Sequence, residues 1–257
     1  MTDLPELQSP PINRLFLVGC EVFTRELHAA VATSERQVDA VWLPKDLHDR
    51  GGKAMMHVLQ ERCDQANPER HQAIALGFAL CNNGLVGLRA GRLPIVAYRS
   101  HDCIGCLLGS RQRYEDEFRS QPGTYWYSAG WIERSGDGSH LAPLSVPDAS
   151  DPQWAKMLAK YGEDNARFLW DEMRAQTAHY TRLVYIDTGV GPQDRFAAQA
   201  KRKADDRGMA FQRITGDRRW IQDLIDGPWD AERFLVIQPG QRVVARYDGT
   251  LVGTEAA

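Results

Sequence analysis

Apolar residues along this chain fall either in short solid runs or at every third or fourth position. Solid runs of four to eight residues read as strands buried on both faces, and the wider spacing reads as helices with one buried face. RLFLVG at 14–19 predicts a strand ending at Cys20, and 21–33 predicts a helix. VDAVWL at 38–43 predicts a second strand. The loop PKDLHDRGG follows, then a helix from about Lys53 to Cys63 with Met55, Met56, Leu59 and Cys63 on or near one face. HQAIALGFAL at 71–80 predicts the third strand, ending near Cys81, and NNG turns the chain. LPIVAY at 93–98 predicts the fourth strand, after which the chain re-enters helix with Ser100 as its N-cap and Ile104, Leu107 and Leu108 on one side.

The rhythm breaks between 123 and 152, where aromatic GTYWYSAGWIER gives way to residues rich in Gly, Ser and Pro. This segment reads as a crossing between lobes with a mobile loop near 135–150. A helical pattern then runs from Asp151 to about Ala178, with YGEDN as a polar break. RLVYID, MAFQRI and RFLVIQPG read as strands, DRFAAQAKRKADDRG as a helix closed by Gly208, and GDRRWIQDLIDG as a further helix. Strand–helix alternation on both sides of the crossing predicts an α/β fold: two Rossmann-like lobes with mainly parallel sheets flanked by helices. The expected division is an N-terminal lobe at 1–122, the crossing segment at 123–152 and a C-terminal lobe at 153–257.

A length of 257 residues is enough for two such lobes, each with a core. The net charge of −3, with basic residues spread along the chain, argues against nucleic acid as a partner. No stretch approaches the roughly 20 apolar residues that span a bilayer, so no membrane association is expected. The acidic, proline-rich MTDLPELQSPPINR lacks the features of a signal peptide. The expected location is therefore the cytoplasm, where the five cysteines (20, 63, 81, 103 and 106) stay reduced and suit metal binding or catalysis better than a disulfide framework.

In open parallel sheets, ligands bind beyond the carboxyl ends of the strands. Cys20 follows the first strand, His48 the second, Cys81 the third, and His101 and Cys103 the fourth. Four strands thus deliver a metal ligand or nucleophile to one edge. Cys63, mid-helix at apolar spacing, reads as a core residue, and the CxxC of Cys103 and Cys106 lacks the second pair of a zinc ribbon. A helix start at Ser100 would favour an ionised Cys103 through the helix dipole. Zinc suits the set, with Cys20, Cys81 and Cys103 as three ligands and an open fourth position; an iron–sulfur cluster is the alternative. His101 is a fourth ligand or proton-transfer group, and His48 a second catalytic candidate. Asn82 and Asn83 would bind a substrate or form a left-handed turn. Arg99 would hold an anionic substrate or pair with a local acid, and Glu21 lies where an acid commonly starts a helix. No P-loop, dinucleotide fingerprint, GxSxG or HExxH is present.

GCEVFTREL, LPKDLHD, LGFALCNNGLVGL, RSHDCIGCLLGSRQRYEDEF, PGTYWYSAGWIER, KYGEDNARFL and FLVIQPG together resemble the domain-of-unknown-function family 1638, over about Arg14 to Gly240. Cys106 departs from that family's pattern. The resemblance implies no firm reaction but a context: corrinoid-dependent methyltransferase systems that demethylate methylamines, betaines and similar compounds. Together with the thiol set, it leads to the expectation of a metal-dependent enzyme of one-carbon or methyl-transfer metabolism, a methyltransferase or a relative, acting on a small-molecule substrate beside a corrinoid protein or methyltransferase. The alternative is a non-catalytic module that binds a corrinoid, with His48 or His101 as a cobalt ligand, or docks a corrinoid protein. A third reading, metal-free thiol nucleophiles facing each other across a cleft, is disfavoured because the second lobe has no cysteine.

Overall fold

In the computed structural model of the chain, residues 13–134, 152–246 and 248–257 are described. The elements in order are β1 (Arg14–Cys20), α1 (Thr24–Thr33), β2 (Gln37–Leu43), α2 (Gly52–Cys63), β3 (Ala73–Gly77), β4 (Ile95–Tyr98), α3 (Cys103–Leu108), α4 (Arg111–Ser120), β5 (Thr124–Ser128) and α5 (Ala129–Arg134). There follow α6 (Pro152–Tyr161), α7 (Glu163–Thr177), β6 (Arg182–Asp187), α8 (Gln193–Asp206), β7 (Ala210–Thr215), α9 (Arg219–Asp226), β8 (Phe234–Ile237), β9 (Gln241–Ala245) and β10 (Val252–Ala256). The protein is mixed α/β with parallel sheets flanked by helices. No helix among the described residues is long and apolar enough to cross a membrane.

The chain divides into two compact units, one running up to Arg111 and resuming at Asp217–Ala257, the other spanning Gln112–Gly216. The first unit holds a five-stranded sheet in the order β2-β1-β3-β4-β8. The first four strands are parallel, and β8 runs antiparallel to β4 with Ile95 opposite Ile237 and Tyr98 opposite Phe234. The interior strands β3 and β4 are buried throughout, as solid apolar runs require, whereas edge strand β2 is half-buried or exposed at every position but Leu43. From β1 the chain moves one way to β2, then back past β1 to β3. Right-handed crossovers in opposite directions place α1 and α2 on opposite faces of the sheet. α9 buries Trp220, Ile221, Leu224 and Ile225 in one stripe beside α1, each worth about 1.5–3 kcal/mol on burial.

The second unit holds a three-stranded parallel sheet, β5-β6-β7. α8 lays Phe196, Ala197, Ala200 and Ala204 over Tyr127, Leu183 and Tyr185, and its alanines bring helix and sheet close. The buried Arg182 guanidinium donates to the Thr124 hydroxyl at 3.0 Å, the Gln212 amide oxygen at 2.7 Å and the Glu117 carboxylate at 3.1 Å. α6 and α7 meet through Trp154 and Trp170, edge to face at 5.5 Å. The polar break YGEDN is the junction between them, with Gly162 at φ +75°.

Several expectations change. α9 and β8, placed in the second lobe by their order in the chain, belong to the first unit, because β8 completes its hydrogen bonds on β4. The crossing segment opens with a strand of the second unit's sheet, β5, whose residues pair with β6 from Thr124–Arg182 to Ser128–Ile186. The expected mobile loop at 135–150 lies outside the described residues. The helix after Ser100 is two helices, broken at Gly109 with φ +70°. Its N-cap is Asp102, whose carboxylate accepts the Ile104 N–H at 2.9 Å, rather than Ser100, whose hydroxyl donates to the Asp102 carbonyl at 2.9 Å.

Candidate functional site

The order β2-β1-β3-β4 reverses direction between β1 and β3. In such sheets the crevice at the carboxyl ends of those two strands is where ligands bind. Cys20 is the last residue of β1, and Cys81 follows four residues after the end of β3. Beyond the ladder, the chains after β3 and β4 remain tied: Leu80 N–H donates to the Ser100 carbonyl and Cys81 N–H to the His101 carbonyl, both at 2.9 Å. Cys103 lies two residues farther on, as the first residue of α3.

Cys81, Asn82 and Asn83 are all left-handed, with φ of +34°, +54° and +60°. Asparagine tolerates this region, but three non-glycine residues in succession store strain that the surroundings must hold. Two contacts hold it. The Asn82 amide donates to the His48 carbonyl at 3.3 Å. The Asn82 carbonyl packs so tightly on the start of α2 that a Cβ at Gly52 would lie 2.2 Å from it. His48 itself sits in the 3-10 turn Lys45–Arg50, with Nε2 3.5 Å from the Cys20 sulfur.

Burial pushes the Cys20 thiol up to about 12. The Cys81 thiol is raised well above the ordinary thiol range, first by burial and then by the neighbouring charges of Cys103, Cys20, Asp102 and Cys106. Cys106 is likewise raised by burial and by Cys103. All three thiols, Cys20, Cys81 and Cys106, are therefore neutral near pH 7. The helix that Cys103 begins, α3, has six residues and is buried throughout. Among the described residues no group of three or more His, Cys, Asp and Glu stands in an arrangement that could hold a metal ion. Cys20, Cys81 and Cys103 come after or at the ends of β1, β3 and β4 of one sheet without forming a ligand set.

The other candidates divide. His101 is exposed beside Cys81, and the Asn82 and Asn83 side chains are exposed on the same turn. Glu21 is half-buried, next to Cys20, whose thiol its charge helps raise. Arg99 turns its donors to the carbonyls of Phe234, Thr250 and Val252, fastening the C-terminal segments to the end of β4. Cys63 is buried at the far end of α2, as expected of a core residue, with its thiol at about 12. Sequence reasoning gave the N-cap of α3 to Ser100, missed Asp102 in that role and discounted Cys106. The signal was present in SHDCIGC, where a small hydroxyl and a carboxylate precede paired thiols.

A family model described as a protein of unknown function, DUF1638, matches residues 42–225. The chain belongs to that family. The matched part of this DUF1638 chain contains His48, Asn82, Asn83, Arg99, His101 and the thiols of Cys81 and Cys103, while Cys20 and Glu21 precede it. No curated protein and no solved structure matches the chain.

Proposed function

We propose that the protein is a metal-dependent enzyme of one-carbon or methyl-transfer metabolism, acting with a corrinoid methyltransferase system, and that its chemistry lies at the thiol rim of the first unit. One observation carries the reading: Cys20, the last residue of β1, and Cys81, just beyond β3, flank the place where the strand order reverses. The strained turn at Cys81–Asn83 supports it, since strain of this kind gathers at functional sites. Read as Rossmann-like, the first unit would bind its ligand at that point.

The donor chemistry suits zinc, with an iron–sulfur cluster as the alternative for the same thiols. The donor positions as they stand form no closed set, so binding would draw the thiols of Cys20, Cys81 and Cys103 together. A bound zinc ion would supply the field that turns buried thiols into thiolates and would activate an incoming thiol. His101, exposed on the rim, would take or return a proton. The Asn82 and Asn83 amides would orient a small-molecule substrate, and His48 would hold Cys20.

The test is the metal content of anaerobically purified protein, with zinc uptake followed against a chromophoric chelator. We expect one zinc per chain, and Cys81→Ser and Cys103→Ser each to weaken uptake at least tenfold while thermal melting confirms folding. Folded wild type that takes up no metal overturns the reading.

The exposed His101 favours a second reading, a non-catalytic corrinoid-binding or corrinoid-protein-docking module with that imidazole as cobalt ligand. Adding cobalamin would then shift its visible spectrum, and His101→Ala would abolish the shift. An unchanged spectrum, with no co-elution of a corrinoid protein, rejects it.

A further inference from the structure

We propose that Cys103 and Cys106 are a redox-active pair, cycling between dithiol and disulfide. They occupy the first and fourth positions of α3, so one helical turn stacks them on the same side. Helical geometry puts such Cα atoms about 5 Å apart, within the roughly 4.4–6.8 Å that a disulfide spans. The Cys106 sulfur already points back along the helix, donating to the Asp102 carbonyl at 3.8 Å, and that carbonyl belongs to the peptide bond leading into Cys103. The intervening Gly105 keeps this turn tight: a Cβ there would lie 2.4 Å from the Ser100 hydroxyl.

Access assigns the order of events. Cys103 is 6% exposed and Cys106 0%. The oxidant is a low-molecular-weight disulfide. Cys103, giving up its proton, attacks one sulfur; a bond forms between them, the external S–S bond breaks, and the departing thiolate takes up the proton. The Cys106 sulfur then attacks Cys103, losing its own proton to the second departing thiolate. Two protein thiols have lost two electrons, and one external disulfide has become two thiols.

Trypsin cleaves after Arg99 and Arg111, and the peptide 100–111 contains these two cysteines and no other. Reduced full-length protein is incubated anaerobically with glutathione disulfide, free thiols are alkylated, and that peptide is weighed. We expect a loss of about 2 Da within it relative to the dithiol form, reversed by dithiothreitol. Cys106→Ser should retain glutathione on Cys103, because the resolving thiol is gone. Cys103→Ser should leave Cys106 unmodified. Two alkylated thiols in folded wild type, or a cross-link from Cys103 to Cys81, overturns the pair. The mass of the peptide decides the redox pair whether or not the protein binds a metal.

Discussion

The backbone carbonyl of Asn82 and the first residue of α2, Gly52, approach so closely that no side chain fits between them, a Cβ at Gly52 lying 2.2 Å from that oxygen. The contact joins the left-handed turn carrying Cys81 to the loop carrying His48. Nothing in the spacing of GGK predicts it, because Gly52 and Asn82 are thirty residues apart in the sequence.

Gly52→Ala should therefore destabilise the protein by about 1–3 kcal/mol, since the obstacle is backbone and cannot swing away. Urea unfolding measures it. An unchanged midpoint would mean that the turn moves freely from α2.

Asn83 tests the strain directly. At φ +60° a β-branched residue meets the steric cost of the left-handed region and glycine meets none. Asn83→Val should lose about 1–2 kcal/mol, and Asn83→Gly should be neutral or more stable. If glycine proves as harmful as valine, the Asn83 side chain matters more than its backbone.

Buried thiols give the protein a basic limit. Cys63 is held at about 12 in the folded chain against 9.0 for the free thiol, so the folded state binds its proton more tightly. That contribution is complete below pH 9 and is lost as pH rises from 9 toward 12. Each such thiol adds a slope of about 1.4 kcal/mol per pH unit in that window. Cys63→Ala should lower stability at pH 7 through the lost packing and yet flatten the decline above pH 9. Urea midpoints from neutral to basic pH check it, and parallel curves for variant and wild type would contradict it.

In the second unit, Arg182 links β5, α4 and β7 through Thr124, Glu117 and Gln212. Removing one partner of a buried pair costs about 3–5 kcal/mol. Glu117 is partly exposed, so Arg182→Ala should fall at the lower end, about 3 kcal/mol. Arg182→Lys should recover only part, because an ammonium cannot serve three acceptors in a plane. Calorimetry of the whole chain reads the difference.

Much of the architecture is legible in the chain itself. The runs at 14–20, 37–43, 73–77 and 95–98 are strands, the helices between them are where spacing predicts, Cys20 closes β1, and Cys81 and Cys103 come after the ends of β3 and β4. Spacing carries this much because the period of burial is a local property of the backbone. Aromatic TYWYS was misread as a connector because half-buried strands and inter-lobe aromatics have the same composition. The β9–β10 hairpin was missed because QRVVA and VGTEA are short and mixed in polarity.

The sequence by itself determined the class of fold, the order of most elements and which strand ends carry sulfur and imidazole, since those depend on patterns a few residues long. Tertiary structure alone decided that β8 returns to the first sheet, that Arg99 faces carbonyls, and that Gly52 supports the turn at Asn82. It also decided that the Cys81 and Cys106 thiols are neutral. Each of these depends on which distant groups share a hydrogen bond, a cavity wall or a water-free neighbourhood, and such pairings leave no period in the chain.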